Sequence, residues 1–245
     1  MPASALRVLS DPASGEPGVW QLALLGAWSL RRCGRPECLP VASQRVLAFI
    51  ALNHPCGRAQ LAGSLWPTVD ERRALGNLRS VLWRLSRSAP DLLMVAGQML
   101  SLAENVAVDV REFDAVWGQT ELVDHSRDYP HLFSVELLPG WYDDWVLAER
   151  ERLRQLRLHA LEDRAIALCQ RHCYGEALQA ALRVLSCEPL RESAHRLVIQ
   201  IHLAEGNVSE AARQYSACRQ MLWEELGVRP SRLLRQLDPA AMVSD

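Results

Sequence analysis

The sequence predicts a mixed architecture: an N-terminal α+β domain followed by an all-α domain of stacked helix pairs. Three observations predict it. Short apolar alternations punctuated by turn residues occupy residues 20–41 and 92–102. Three helical patterns lie between them. From Asp109 onward a helical period takes over and dominates the rest of the chain.

The elements follow in order. Trp20, Leu22 and Leu24 alternate, Gly26 turns the chain, and Trp28 and Leu30 resume the alternation, so short strands are expected. Cys33-Gly34-Arg35-Pro36 is a turn, after which Cys38 to Val41 is expected to return as a strand. Ser43 is expected to cap a helix whose apolar side holds Val46, Leu47, Phe49 and Ile50. Asn53-His54-Pro55 stops that helix, since proline lacks the N–H to continue it. A second, short helix is expected over Arg58 to Leu65 and a third over Asp70 to Ser88, closed by Ala89-Pro90. Leu92 to Val95, a turn at Gly97, and Met99 to Leu102 form a hairpin. Strands, three helices and a hairpin in this order make a winged helix-turn-helix.

In the second half, Phe113, Val116 and Trp117 form an apolar patch, and 124–140 reads as irregular. Helices are expected over 143–171, 174–187, 191–205 and 208–226, with a short helix after Pro230. Cys173-Tyr174-Gly175-Glu176-Ala177 lies 34 residues before Asn207-Val208-Ser209-Glu210-Ala211, with Ala167-Leu168 opposite Ile201-His202 at the same offset. Helix pairs at a 34-residue period are tetratricopeptide-like, and each pair buries its apolar stripe only against its neighbours. The expected division is a frayed lead-in over 1–19, a winged-helix domain over 20–105 and a helical-repeat domain over 106–245.

Composition narrows the function. Net charge is −2, so the chain is not globally basic, yet residues 58–88 hold six arginines against Asp70 and Glu71. All 27 basic residues are arginine, whose forked guanidinium suits phosphate and guanine. No apolar run approaches a membrane span, and residues 1–8 lack a signal-peptide pattern; a cytoplasmic protein is expected. Seven cysteines without a Cys-x-x-Cys pair read as buried apolar residues or free thiols. Cys169, His172 and Cys173 could share a helix face, but no partner motif supplies a fourth ligand, so no metal is expected. No nucleotide loop, nucleophile elbow or paired acid and base is present, so neither a cofactor nor an enzyme is expected.

On a helical wheel of residues 70–88, Ala74, Leu75, Leu78, Val81, Leu82 and Leu85 share one third of the circle. Arg72, Arg73, Gly76, Arg79, Ser80, Trp83, Arg84 and Arg87 gather opposite. One side docks on the domain; the other can meet a major groove. The expected DNA-binding residues are therefore Arg72, Arg73, Arg79, Ser80, Arg84 and Arg87. An ordinary solvated face is the competing reading. Trp83, a large aromatic on the polar side, either contacts DNA or packs under the hairpin or on the second domain, packing being the favoured role. The aromatics of the Pro139-Gly140-Trp141-Tyr142-Asp143-Asp144-Trp145 stretch are expected to fill a seam, with Asp143 or Asp144 capping the next helix.

The chain resembles the Streptomyces antibiotic regulatory proteins, with their bacterial transcriptional activator domain. In the N-terminal half the resemblance rests on Leu24-Leu25-Gly26, Gln44 to Ala48, Arg58, Leu61, Ala62 and Leu65-Trp66-Pro67, and Asn77-Leu78-Arg79, Leu82 and Leu85. The C-terminal motifs are more specific: Leu138-Pro139-Gly140, Tyr142, Asp144-Trp145-Val146, Glu149 to Leu153, Glu188 to Leu197, and Glu224 to Val228 with Pro230-Ser231. The resemblance covers residues 20 to 237. It implies an activator that binds direct repeats of double-stranded DNA near promoters, contacts RNA polymerase and self-associates on DNA. Longer members append an ATPase module; with no phosphate loop here, the short form is expected. The family hairpin carries Gly-Tyr-Arg-Leu, whereas this chain has Gly97-Gln98-Met99-Leu100, so the resemblance does not extend an arginine contact to this wing. The alternative function is a helical-repeat adaptor whose winged helix binds protein and not DNA.

Overall fold

The structure is a computed structural model and describes residues 20–111 and 135–238. It divides into two compact units: 1–116 with 129–153, and 117–128 with 154–245. The patch at Phe113, Val116 and Trp117 lies outside the described residues.

The first unit opens with β1 (Trp20–Ala23) and β2 (Ser29–Arg32), antiparallel with Leu22 opposite Leu30. Alternation is the cause: Trp20, Leu22 and Leu24 are buried while Gln21 and Ala23 are only half covered. β3 is Arg35–Pro36, paired to the end of β2; the strand expected over Cys38 to Val41 does not form. Val41 instead begins α1 (Val41–Leu52), whose N-cap is Pro40, not Ser43. Ser43 is buried inside the first turn, where its N–H bonds to the Pro40 carbonyl at 2.8 Å. A proline just before the first turn provides a fixed φ and needs no donor, so it starts the helix three residues earlier than a serine cap would.

After α1 come β4 (Cys56–Gly57), α2 (Arg58–Leu65), α3 (Glu71–Ser88) and the hairpin of β5 (Leu93–Ala96) and β6 (Met99–Leu102). β4 joins the hairpin to give the strand order β4-β6-β5. Leu61, Leu65, Leu78, Leu85, Leu92 and Leu100 fill the core between these elements. β7 (Val106–Val108) then returns to pair with β1 in parallel, Leu22 opposite Val108, so the larger sheet has the order β3-β2-β1-β7.

One residue later the chain is fastened. The Asp109 carboxylate accepts the N–H groups of Leu24 and Leu25, each at 2.9 Å, and of Val110 at 2.8 Å. Burial pushes this carboxyl above its ordinary range, and the backbone donors oppose that only in part. Residues 135–138 lie along the same turn: Gly26 donates to the Glu136 carbonyl at 2.7 Å, and Leu138 to the Leu24 carbonyl at 2.9 Å. Gly26 has φ +81°, and a Cβ there would sit 3.3 Å from Val135, so the turn needs glycine.

The long helix α4 (Asp144–Gln170) has residues in both units, divided after Leu153. Near its start Arg150 donates to the carbonyls of Leu137, Leu138 and Trp141 and pairs with Glu136. Asp143 accepts Val146 N–H at 2.8 Å through its backbone carbonyl, while its carboxylate pairs with Arg45. Trp145 meets Phe49 edge to face at 5.2 Å and Trp141 at 6.4 Å, so these rings pack as expected; Tyr142, 77% exposed, does not.

In the second unit, α5 (Tyr174–Cys187), α6 (Glu192–Glu205) and α7 (Val208–Leu226) are followed by α8 (Arg232–Arg235). The repeat is visible in the backbone. Cys173 and Asn207 have the same torsions, φ −86° and ψ 62°. His172 and Gly206, one residue earlier, are both left-handed, and the N–H of Cys173 to Leu168 repeats as Asn207 to His202. Ala165, Leu168, Ala177, Ala181, Val198 and Ile201 form one core cluster; Ile199, Ala211, Tyr215, Cys218 and Leu222 form another. All seven cysteines are free.

Beside the first cluster, buried Glu162 is held by Arg191 through two 2.8 Å bonds and by the Ser193 hydroxyl at 2.5 Å. Burial raises the Glu162 carboxyl, but the Arg191 and Ser193 bonds and the charges of Arg191 and His159 together outweigh it and hold it below its ordinary range.

Two expectations follow. Asp109→Ala leaves the Leu24 and Leu25 amides without acceptors and should cost roughly 2–4 kcal/mol, read as a lower urea midpoint with circular dichroism unchanged in native buffer. For Glu162, a lowered folded pKa means its contribution is present above the unfolded carboxyl value and disappears as pH falls through the folded one. Urea midpoints between pH 7 and pH 3 should therefore fall less in Glu162→Gln than in the parent; an equal fall would refute the assignment.

Candidate nucleic-acid interface

The arginine-rich face belongs to α3, and its start is well determined. Asp70 is the N-cap, its carboxylate accepting the Arg73 N–H at 2.9 Å, and Glu71 occupies the first turn. Both place negative charge at the positive end of the helix dipole. Ala74, Leu78, Val81 and Leu85 are buried at helical spacing against α1 and α2, with Leu75 and Leu82 half covered. The docking stripe is the one expected. It turns the opposite face to solvent: Arg72, Arg73, Arg79, Ser80, Arg84 and Arg87 are all exposed. At about 1.5 Å per residue, α3 runs roughly 27 Å, long enough to cross a major groove.

The exposed side chains are partly organised. Arg73 lies 3.4 Å from the Asp70 carboxylate. Arg84 turns its Nε to the Ser80 carbonyl at 3.2 Å, which leaves its two terminal nitrogens outward. Ser80 bonds through Oγ to the Gly76 carbonyl at 3.1 Å, and its oxygen keeps an acceptor site. Arg87 stands 5.0 Å over the Trp83 ring, a stacked pair on the face itself.

Trp83 departs from expectation. It is 60% exposed, and what stands over its ring is the Arg87 guanidinium of its own helix. The reason is geometric: the hairpin is seated through Leu100 and Leu102, and β6 packs on α1, away from the polar side of α3. The wheel also left out Asn77. It is exposed on the row of Arg73, Ser80 and Arg84, and asparagine can grip adenine with two bonds. Its position in that row was the available signal.

The wing has a different character. Its turn at Gly97 is left-handed, φ +60°, and the Gln98 carbonyl accepts the Arg58 N–H at 3.0 Å, joining wing to α2. Met94, Val95 and Met99 are exposed, and the turn residues Ala96 to Met99 include no cationic side chain. At the Cys169-His172-Cys173 cluster, His172 Nδ1 lies 2.7 Å from the Tyr174 hydroxyl. Among the described residues no three potential ligands are grouped for a metal, and no helix is long and apolar enough to cross a membrane.

Comparison with known proteins shows this architecture to be similar to that of bacterial transcription regulators. Residues 120–240 match the bacterial transcriptional activator domain. Regulatory protein AfsR of Streptomyces coelicolor is 26% identical over 94% of this chain, and Regulatory protein AfsR of Streptomyces griseus is 28% identical over 77%. The aligned regions make up 25% and 21% of those proteins, so the chain spans about a quarter of each or less. The solved structure of Mycobacterium tuberculosis EmbR in complex with low affinity phosphopeptide superposes with a TM-score of 0.68, over 93% of this chain and 66% of that one. At 20% identity that likeness is one of fold: a winged helix followed by tetratricopeptide-like helices. The match over residues 120–240 and the likeness to the two AfsR proteins agree with the resemblance to the Streptomyces antibiotic regulatory proteins and their bacterial transcriptional activator domain.

Proposed function

We propose that this regulator is a sequence-specific DNA-binding activator that lays α3 in the major groove of direct repeats near promoters and contacts RNA polymerase. The observation that supports it is the complete separation of α3 into a buried leucine stripe and an exposed arginine face. Arg84 and Arg87 are the principal contacts; Arg72, Arg73, Arg79 and Ser80 assist, and Asn77 joins them. Phosphate contacts orient the helix, and the bidentate arginine and asparagine groups read bases. The adaptor reading has one observation of its own, the apolar wing with Met94, Val95 and Met99 exposed.

One winged helix reads few base pairs, so two copies in head-to-tail order fit direct repeats and gain from effective concentration. The helical domain offers the surface for this pairing.

Retention on double-stranded DNA should fall steeply as salt rises. In Arg84→Ala with Arg87→Ala, a lost phosphate contact should lower the salt slope by about one unit each, and a lost base contact should cost roughly 1–3 kcal/mol. Unchanged binding by the folded double variant, with flat salt dependence in the parent, would favour the adaptor. Mass photometry on a selected site should give two proteins per DNA, and one when a single repeat is scrambled. One protein on both probes, with equal affinity, would refute pairing.

A further inference from the structure

A groove of about 640 Å³ lies along α7 in the second unit, far in sequence from the arginine face of α3. One wall is a single face of the helix: Tyr215, Ser216, Arg219, Gln220 and Trp223. The opposite wall is the segment after the helix, with Val228, Arg229 and Pro230, and Arg235 of α8.

The walls are built before any ligand arrives. Gly227 caps α7 in the left-handed conformation, and Val228 N–H returns to the Leu222 carbonyl at 3.3 Å. Ser231 N–H is held by the Glu192 carboxylate at 2.8 Å. Pro230 and Leu234 are buried, which seats the segment against the core. This explains physically why the stretch from Glu224 to Ser231 is so marked in the sequence: it fixes a turn and a wall.

The lining has two chemistries side by side. Trp223 is 60% exposed, so its indole face is open to a flat partner. Arg219, Arg229 and Arg235 contribute three guanidinium groups, and among the described residues none of the three is in an ion pair. Tyr215 feels two of them, Arg219 and Arg235. Burial and the hydrogen-bonded Asp238 push its phenol up, while the charges of Arg219 and Arg235 pull it down. Asp238 is thus engaged by Tyr215, and Glu224 accepts Gln220 at 2.9 Å on the flank.

We propose that this groove binds a small organic anion made of a flat ring and a phosphate, the ring on Trp223 and the phosphate between Arg219, Arg229 and Arg235. Arg219 and Trp223 are one turn apart on α7, about 5–6 Å at Cβ, which matches the span from ring to phosphate in a nucleoside monophosphate. Guanidinium groups take phosphate oxygens in pairs, and an exposed indole stacks on any base. A volume of this order suits a ligand of that size. The inference is independent of the DNA reading, since no residue is shared.

The test uses the full chain and isothermal titration with AMP, GMP, UMP and phenyl phosphate, and with adenosine and inorganic phosphate as the separated halves. At least one ring phosphate should bind one to one below 1 mM and at least tenfold more tightly than either half. Trp223→Ala and Arg219→Gln, both at exposed positions, should each weaken that binding tenfold or more while the thermal midpoint holds. The proposal is overturned if no ring phosphate binds below 1 mM, if inorganic phosphate binds as well as the best of them, or if the variants bind like the parent. Capture of an acidic peptide at this groove, with the ring phosphates inert, would also overturn it.

Discussion

The clasp at Asp109 is the constraint on which the first unit depends. A two-stranded ribbon of β1 and β2 would be marginal alone. β7 gives β1 a second neighbour, and the Asp109 carboxylate fixes the turn that follows β1 by holding two consecutive amides. The chain between these points contains all three helices of the winged helix, so the clasp closes the loop that presents α3. The same turn carries Leu137 and Leu138 into the core beside it. That is why residues 129–153 belong to the first compact unit although they lie within the residues that match the activator domain.

The helices were legible because their stripes recur every three or four residues over many turns. α2, α5 and α7 begin and end where the apolar pattern and the caps indicate. Two-residue strands such as β3 and β4 leave no period to detect. β7 is three residues long, and its partner lies far back in the sequence, so only the fold shows that Val106 and Val108 face a sheet. A serine side chain can bond a helix N-terminus, which makes Ser43 the natural cap by sequence; its burial excludes that role and leaves Pro40 as the cap. The arginine face of α3 was readable as a wheel, but the solvent exposure of Trp83 was not, since it depends on which side of α3 the hairpin takes. The DNA contacts, as distinct from the exposed face, are a property of a complex.

The second unit repeats itself in backbone as well as in sequence. His172 and Gly206 adopt the same left-handed turn, although only glycine does so without steric cost. The first repeat therefore accepts strain at His172 that the second avoids. The ring of His172 rests near Tyr174, edge to face at 5.8 Å, which is compatible with that turn. Between the repeats, Glu162 with Arg191 and Ser193 joins the long helix to the N-terminus of α6, an ionic joint beside an otherwise alanine-rich seam. The helix pairs thus share a geometry while each junction has its own chemistry.

The wing has a consequence for how the molecule behaves in solution. β5 is an edge strand among the described residues, with β6 on one side only. Met94, Val95 and Ala96 are exposed along it, and none is charged or proline. Natural edges are usually blunted by lysine, and this chain contains none. Shortness is the protection left: four residues offer a visiting strand few hydrogen bonds. Among the described residues the wing is thus an open apolar edge, and crowding would test that edge before it tested either core.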